Sequence, residues 1–197
     1  MRKNPSQERS RALVDSLIEA TALTIAENGL EAATTARIAK RAGVSVGSLY
    51  QYFDSKDALY NALLHRMTSQ MEELIDRQLE QAETLTLKEF LARILQAVWL
   101  FLEADNARYL QIVRNWSQLS TLPLVSALEQ KTIAAIGIFL AYHPPKKPIS
   151  NIPAKLYFLL NGAMFSQLRY VSQPPVGISR DQLLEVIIEQ ALALLGD

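Results

Sequence analysis

The segment AGVSVGSLYQYFDSKDAL, residues Ala42–Leu59, interrupts a chain that is otherwise rich in leucine and alanine. It brings glycines, serines, three aromatic residues and a lysine together within eighteen positions. Leu49 and Phe53 are four residues apart, so they share one face of a short helix that points inward. Ala39 and Gly43 precede them with the spacing of a tight turn, where a small residue lets two helices cross and glycine supplies a positive φ. The segment therefore predicts a helix–turn–helix.

The side chains opposite this inner face suit contact with DNA. Gly47 and Ser48 are small enough for the backbone to approach the floor of a major groove, and Gln51 can hydrogen-bond an adenine edge. The Tyr50 hydroxyl can reach a phosphate, and Val46 can touch a thymine methyl group. The predicted DNA-binding residues are Thr34, Thr35, Arg37, Ser45, Val46, Gly47, Ser48, Tyr50, Gln51, Tyr52 and Lys56.

Positive charge is concentrated around this segment, although the chain as a whole has 20 Lys and Arg residues against 20 Asp and Glu. Between residues 34 and 56, four cations accompany the single anion Asp54, which gives a local net charge of +3. Two of these residues have alternatives. Arg41 contacts a phosphate or only stabilises a helix end, and Tyr52 lies close enough to the inner face that its ring packs and only its hydroxyl is available.

The rest of the chain has apolar residues at three- and four-residue spacing, which indicates helices, and almost no alternation of the kind found in strands. The segment ADN, Ala104–Asn106, and two proline pairs predict breaks between helices. Helices are predicted at residues 7–28, 35–41, 45–52, 56–83, 87–103, 107–118, 123–142, 152–172 and 179–195. We therefore predict an all-α fold with a three-helix helix–turn–helix domain at residues 1–55 and a second helical domain at residues 56–197.

Several classes of function are excluded or disfavoured. The chain has no cysteine, which rules out disulfides, cysteine-ligated zinc and thiol catalysis. Nucleotide-binding and hydrolase motifs are missing, and His65 and His143 lie in different elements, so we expect no enzyme, no cofactor and no metal. The polar N-terminus does not resemble a secretory signal, and the longest charge-free stretches fall short of about 18 residues. A cytoplasmic protein without a membrane partner is expected.

Aromatic residues cluster in the central helices, where polar residues also interrupt apolar runs. Ligand pockets are mostly apolar with a few polar anchors, so a pocket is one interpretation. The other is an ordinary core, in which backbone carbonyls or water satisfy the polar groups. The candidate pocket residues are Trp99, Tyr109, Asn115, Trp116, Phe139, Asn161 and Phe165.

The last two predicted helices are apolar over more than one stripe, so each must bury two sides. The small residues Gly162 and Ala163 would let another helix approach closely. A dimer surface accounts for the second buried side. The predicted interface residues are Leu156, Leu160, Ala163, Met164, Leu184, Ile187, Ile188 and Ala191.

The unbroken run IAENGLEAATTARIAKRAGVSVGSLYQYFDSKDALYNALL, Ile25–Leu64, resembles the DNA-binding region of the TetR family of bacterial transcriptional regulators. The resemblance covers roughly Leu13–Leu64. It implies a homodimer that binds double-stranded DNA at a palindromic operator. It also implies that residues 56–197 dimerise and bind a small apolar or aromatic effector, which makes the chain a ligand-responsive repressor. Many relatives have lysine in place of Val46, so their operator sequences cannot be transferred to this chain.

A second interpretation keeps the DNA-binding region but assigns a different role to the helices that follow. In it, the chain is a DNA-bound interaction protein that recruits a protein partner without a small-molecule inducer. Pocket-filling side chains and an exposed apolar patch away from the dimer helices would favour this interpretation.

Overall fold

The computed structural model describes residues 8–115, 118–119, 121–145 and 147–195, with Asn106 described by its backbone alone. Helices account for the regular structure of these residues, and the described part of the chain contains no strand. The predicted all-α fold is confirmed. The helices are α1 (Glu8–Asn28), α2 (Thr35–Arg41), α3 (Val46–Tyr50), α4 (Lys56–Leu79), α5 (Leu87–Arg114), α6 (Leu122–Tyr142), α7 (Ile152–Ser172) and α8 (Arg180–Leu195), with a 3₁₀ turn at Ala82–Thr84.

Local chemistry sets the ends of the short N-terminal helices. The Thr34 hydroxyl caps α2 by accepting the Arg37 N–H at 3.3 Å, and the Ser45 hydroxyl caps α3 by accepting the Ser48 N–H at 3.0 Å. Such caps satisfy N–H groups that have no partner inside the helix. Gly43, which follows α2, has a φ of +71°, a conformation that favours glycine. The turn between α2 and α3 is therefore built as the sequence predicts.

The described residues form two compact units. The first contains the residues up to Met67 together with those of 102–121, and the second contains residues 68–101 and those from Leu122 onward. The first unit thus extends past the predicted boundary at residue 55 to the buried side chains of Leu63 and Met67, and it includes the end of α5. Helices α4 and α5 each contribute residues to both units. The functional boundary of a DNA-binding domain at residue 55 stays a prediction.

The core of the first unit holds the helix–turn–helix together. Leu17 and Ile25 of α1, Ile38 of α2, Leu49 of α3 and Phe53 are each at most 1% exposed. Full burial of side chains of this size contributes roughly 1.5–3 kcal/mol each. The inward orientation predicted for Leu49 and Phe53 agrees with this burial.

The core of the second unit is organised around three stacked rings. Phe139 of α6 lies 4.7 Å from Phe90 of α5 and 4.6 Å from His143, measured between ring centroids. His143 Nε2 donates a hydrogen bond of 2.8 Å to the carbonyl oxygen of Ala82. Leu156 of α7 belongs to the same buried cluster. The stack fixes the turn between α4 and α5 against the end of α6.

The predicted break at Ala104–Asn106 is wrong as a loop, because α5 runs from Leu87 to Arg114 without interruption. The backbone nevertheless departs from regular geometry there, with Asp105 at φ +49° and Ala107 at φ +56°. A left-handed conformation costs a residue with a side chain roughly 1–2 kcal/mol. The sequence signal was therefore real, but it marks an irregularity inside one helix.

Among the described residues, α6 is the one helix long and apolar enough to cross a membrane by length and composition. Several of its contacts are those of a packed helix. Lys131 forms an ion pair of 2.6 Å with Asp76 of α4, and Glu129 accepts a hydrogen bond of 3.3 Å from Asn161 of α7. Ile136 is 3% exposed. These contacts fix α6 to its neighbours within the second unit.

The loop between α1 and α2 is held by a phenol from α4. The Tyr60 hydroxyl lies 3.1 Å from the carbonyl oxygen of Leu30 and 3.2 Å from that of Ala33, so its single proton is shared between two acceptors. Burial raises the pKa of Tyr60 above the usual value of 10.0, and the nearby Lys56 opposes this in part. The folded chain therefore holds the phenol proton more tightly than the unfolded chain.

We expect Tyr60→Phe to lower the free energy of unfolding by about 1–2 kcal/mol near neutral pH, because two buried carbonyls lose their donor. The loss should shrink as the pH rises above about 10, because the unfolded wild-type chain then releases the phenol proton more readily than the folded chain and the stabilisation by the Tyr60 hydroxyl is lost. Denaturant unfolding of both proteins at pH 7 and pH 11 measures the difference. An equal difference at the two pH values would contradict the prediction. Tyr52→Phe is the control, because its hydroxyl makes a single 3.4 Å contact to Ser10.

Candidate functional site

Helix α3 and the residue that ends it, Gln51, present four exposed residues, which we call the α3 outer face: Val46, Gly47, Tyr50 and Gln51. Val46 is 38% exposed and Tyr50 is 39% exposed, whereas Leu49 behind them is fully buried. A Cβ built on Gly47 would meet only the Ser45 hydroxyl, at 3.8 Å, so the fold does not require glycine there. The outer face is a rigid surface of small and hydrogen-bonding groups mounted on a packed helix.

Two hydroxyl groups lie side by side at the edge of the α3 outer face. Thr35 Oγ1, in the first turn of α2, is 3.4 Å from the Tyr50 hydroxyl. Thr34, directly before it, is exposed and caps the same helix. Hydroxyls and free N–H groups at a helix N-terminus are the groups that commonly bind phosphate oxygens. The fold thus brings Tyr50 next to Thr35, which follows Thr34 directly, although Tyr50 lies 15 positions further along the chain than Thr35.

Three other predicted DNA-binding residues have structural partners. Ser45 caps α3, and its hydroxyl oxygen lies 2.9 Å from that of Ser48, so both hydroxyls already participate in the turn. Tyr52 is only 7% exposed, and its hydroxyl donates to Ser10 Oγ of α1 at 3.4 Å. The structure gives Tyr52 a packing position, and any role of these three residues at DNA stays a prediction.

The cations near the outer face differ in their surroundings. Arg37 Nη1 donates to the carbonyl oxygen of Ala32 at 3.1 Å, and the Lys56 ammonium lies 5.2 Å from the centre of the Tyr60 ring. Arg41 forms an ion pair with Glu27, which offsets its charge. This ion pair was not predicted, and both alternatives for Arg41, a phosphate contact and stabilisation of the helix end, stay predictions. Arg37 lies in the first turn of α2, and Lys56 is the first residue of α4.

The candidate pocket residues are divided between the two units. Tyr109 and Asn115 belong to the first unit, and Trp99, Phe139, Asn161 and Phe165 belong to the second, while Trp116 lies outside the described residues. The two asparagines donate to backbone carbonyl oxygens, Asn115 to Gln111 at 2.8 Å and Asn161 to Tyr157 at 2.9 Å. Tyr109 is buried with the Arg108 guanidinium 4.9 Å from its ring centre. For both asparagines, the alternative of satisfaction by the backbone is the one observed.

Trp99 and Phe139 line separate cavities of the second unit. Phe139 borders a cavity of about 470 Å³ next to Pro144 and Pro145. Trp99 borders a groove of about 420 Å³ between α5 and α8, which we call the α5–α8 groove. Its apolar walls are formed by Ala92, Leu95, Trp99, Leu184, Ile188 and Leu192.

Of the residues that line the α5–α8 groove, only Trp99 was predicted from the sequence to line a pocket. A signal was available in α8, where acidic residues recur at Asp181, Glu185 and Glu189 beside apolar residues at Leu184 and Ile188. That pattern is typical of a helix with one apolar face bordered by charge.

Three of the predicted dimer residues, Leu156, Ile188 and Ala191, are buried within the second unit. Leu160, Ala163 and Ile187 are half-buried and line, together with Ile188 and Ala191, a small, partly open cavity of about 70 Å³. Leu184 borders the α5–α8 groove, and Met164 is half-buried. The single chain thus buries part of the stripe that the sequence assigned to a partner, and the interface itself stays a prediction.

The opposite side of α7 carries large exposed apolar residues. Tyr157 is 64% exposed and Phe158 is 67% exposed, and Phe165 lies further along the helix at 42%. Gly162, between them, is also exposed, and a Cβ built there would meet nothing within 4 Å. We call Phe158, Gly162 and Phe165 the α7 outer stripe. It is the second apolar side that the sequence predicted for this helix.

Comparisons with solved structures show the fold. A TetR-family transcriptional regulator from Mesorhizobium loti matches with a TM-score of 0.70 at 15% identity, over 96% of this chain and 98% of that one. FadR from Bacillus subtilis, solved in complex with stearoyl-CoA, matches with a TM-score of 0.66 at 20% identity, over 93% of this chain and 98% of that one.

Comparisons of sequence identify the N-terminal region. Residues 17–63 match the model of bacterial regulatory proteins, tetR family. The HTH-type transcriptional regulator BetI of Escherichia coli O17:K52:H18 is 30% identical over 122 residues, which are 62% of this chain and 60% of BetI. The nucleoid occlusion factor SlmA of Glaesserella parasuis serovar 5 is 35% identical over 97 residues, 49% of this chain and 47% of SlmA, so the chain spans about half to three fifths of these relatives. Residues 17–63 therefore match the DNA-binding region of the tetR family of bacterial regulatory proteins, whose members are DNA-binding transcriptional regulators, and the resemblance predicted from the sequence is confirmed.

Proposed function

We propose that the chain is a ligand-responsive repressor that binds a palindromic operator as a homodimer. The observation that carries the proposal is the α3 outer face, which is exposed, small and polar above the fully buried Leu49. Gln51 can recognise adenine, and Val46 can contact a thymine methyl group. Gly47 allows the backbone of α3 to come close to the base edges.

Phosphate contacts would fix α3 in the groove. The paired hydroxyls of Thr35 and Tyr50 and the cap residue Thr34 form one set of candidate contacts, and the N-terminus of α4 with Lys56 forms another. Contacts of this kind determine position and affinity, whereas base contacts determine sequence. Two α3 helices related by a two-fold axis would read half-sites about 34–36 Å apart.

The dimer is proposed to form through the α7 outer stripe. Phe158 and Phe165 expose more apolar surface than a water-facing helix normally does, and Gly162 between them permits close approach of a second helix. Val186 of α8 is 51% exposed and would extend the same surface. The proposed dimer surface thus lies on α7 and α8, the two helices predicted from the sequence. It uses the side of these helices that is exposed in the single chain.

The effector is proposed to be a small apolar or aromatic molecule bound in the second unit. The α5–α8 groove has a suitable volume of about 420 Å³ and an aromatic wall at Trp99. FadR, a structural relative, was solved with the acyl compound stearoyl-CoA. Because α5 lines the groove and continues into the first unit, a ligand that prefers one conformation of α5 would shift the population of DNA-competent chains. Helix α4 is the second helix that has residues in both units.

The interaction-protein alternative retains one supporting observation. Tyr157 of α7 and Ile133 and Ile138 of α6 are exposed apolar residues outside the α7 outer stripe. SlmA, one of the sequence relatives, bears the name of a nucleoid occlusion factor. A melting temperature raised by hydrophobic compounds would support the repressor, whereas a chain that no compound stabilises and that remains on DNA would support the alternative.

The first test is selection of bound fragments from a library of the source genome, with purified protein at moderate salt. Enrichment of short near-palindromes is expected. Gly47→Ala should then weaken operator binding at least tenfold, because a methyl group would separate α3 from the base edges, while raising the free energy of unfolding by roughly 0.5–1 kcal/mol. Gly137→Ala on α6, where a Cβ also meets nothing within 4 Å, is the matched control and should bind normally.

Salt dependence separates base contacts from phosphate contacts. Gln51→Ala should lower affinity for the operator while leaving the slope of log K against log salt unchanged, whereas Lys56→Ala should reduce that slope by about 1. Fluorescence anisotropy with a labelled operator measures both. Retention of fragments without any enriched sequence, or wild-type affinity for Gly47→Ala, would show that the α3 outer face does not read DNA.

Phe158→Arg should convert the dimer to a monomer, because a charge would be buried against a partner helix. Tyr142→Arg is the matched control, since Tyr142 of α6 is 55% exposed and lies outside the proposed surface. Light scattering coupled to gel filtration gives the mass of each, and circular dichroism verifies the helix content. A Phe158→Arg protein that remains dimeric would place the interface elsewhere.

A further inference from the structure

We propose that the α5–α8 groove binds a lipophilic cation, an alkyl or aryl chain that carries one ammonium group. The proposal rests on the proposed function in that the groove is the candidate effector site, and it adds the chemical class of the ligand. The groove has the dimensions of such a molecule. Its α5 wall runs from Lys88 to Leu100, about 18 Å at 1.5 Å per residue, and its volume is about 420 Å³.

The charge around the groove favours a cation. Two cations, Lys88 and Arg180, and three carboxylates, Asp181, Glu185 and Glu189, line it, which gives a net charge of −1. Arg180 lies 3.4 Å from Asp181, so these two offset each other at one end. The remaining carboxylates, Glu185 and Glu189, are one helical turn apart on the exposed rim of α8. Neither forms an ion pair within 4.0 Å in the described part of the chain.

One end of the groove already holds a cation against an aromatic ring. The Arg180 guanidinium lies 5.6 Å from the centre of the Trp99 ring, beside the Asp181 carboxylate. Trp99 Nε1 donates to Gln167 Oε1 of α7 at 2.9 Å, and this hydrogen bond fixes the orientation of the ring. A cation over an aromatic face next to a carboxylate is a stable arrangement in partly dry surroundings. The chain itself thus shows that the electrostatics of the groove accept positive charge.

The middle of the groove offers the complementary apolar part. Between the two ends, Ala92 and Leu95 of α5 face Leu184 and Ile188 of α8. A hydrocarbon chain would bury apolar surface here, and its ammonium group would lie beside Glu185 and Glu189, whose mutual repulsion it would relieve. An anionic chain would bring its charge to the same two carboxylates and bind more weakly.

The test compares three probes of equal chain length by isothermal titration calorimetry of the full chain, each kept below its micelle-forming concentration. Decyltrimethylammonium should bind at least tenfold more tightly than decanoate, with decanol between them. Tetramethylammonium, which lacks the chain, should bind at least a hundredfold more weakly than decyltrimethylammonium. Decanoate binding as tightly as the cation would overturn the proposal.

Variants locate the binding. Glu185→Gln combined with Glu189→Gln should weaken the cation roughly tenfold and leave decanol unchanged, whereas Glu80→Gln combined with Glu83→Gln removes the same charge outside the groove and should change neither. Ala92→Trp should fill the groove and weaken both probes, with circular dichroism to show that the chain is folded. Cation affinity unchanged by both groove variants would refute the site.

Release of operator DNA is measured separately. Cation binding that follows the groove variants but leaves the operator complex intact would support the site and contradict the effector role. Operator release by other compounds, from a chain that does not bind the cation, would overturn the site and leave the repressor intact.

Discussion

The carboxylate of Glu19 on α1 binds two guanidinium groups, and the first unit depends on this arrangement. Arg66 of α4 lies 2.7 Å from one carboxylate oxygen, and Arg108 of α5 contacts the other. Asp105 adds a second carboxylate to Arg108 at 2.9 Å. Without Glu19, the largely buried Arg66 would lose this carboxylate partner, Arg108 would keep only Asp105, and the end of α5 would lose its charged contact with α1. One acidic residue in the first long helix therefore links α1 to both α4 and α5.

The helix–turn–helix was predictable because its signals are local. Capping hydroxyls, glycines at positive φ and the spacing of Leu49 and Phe53 act within a few residues of the structure they determine. The positions of Tyr52 and Arg41 were less predictable, because their partners Ser10 and Glu27 lie in another helix. Short motifs thus give the α3 outer face, and long-range pairing determines which of its neighbours are available to DNA.

Residues of the second unit show a different limit. Helices α7 and α8 are apolar on two sides, so the sequence indicates two buried surfaces but not which one belongs to the chain's own core. Leu156 and Ile188 are buried within the single chain, whereas Phe158 is exposed. The break predicted near Ala104 is wrong because a contact between distant residues opposes a weak local preference. Asp and Asn disfavour a helix interior by only a few tenths of a kcal/mol, and the ion pair of Arg108 with Glu19 outweighs that preference.

Both helices of the α5–α8 groove begin with reciprocal caps, which fix the residues that line it. Thr86 and Glu89 bond each other's groups at the start of α5, as do Ser179 and Gln182 at the start of α8, and the bonds from Thr86 lower the pKa of Glu89. The first part of α5 therefore holds a fixed position at the groove, and its last part is held by Glu19. The irregular backbone at Asp105 and Ala107 lies between these two anchored parts. A shift of α5 at the groove would cost the least free energy if the backbone adjusts in this strained segment, which lies between two fixed parts of the helix. Under the proposed function, α5 therefore connects ligand binding to the DNA-reading unit.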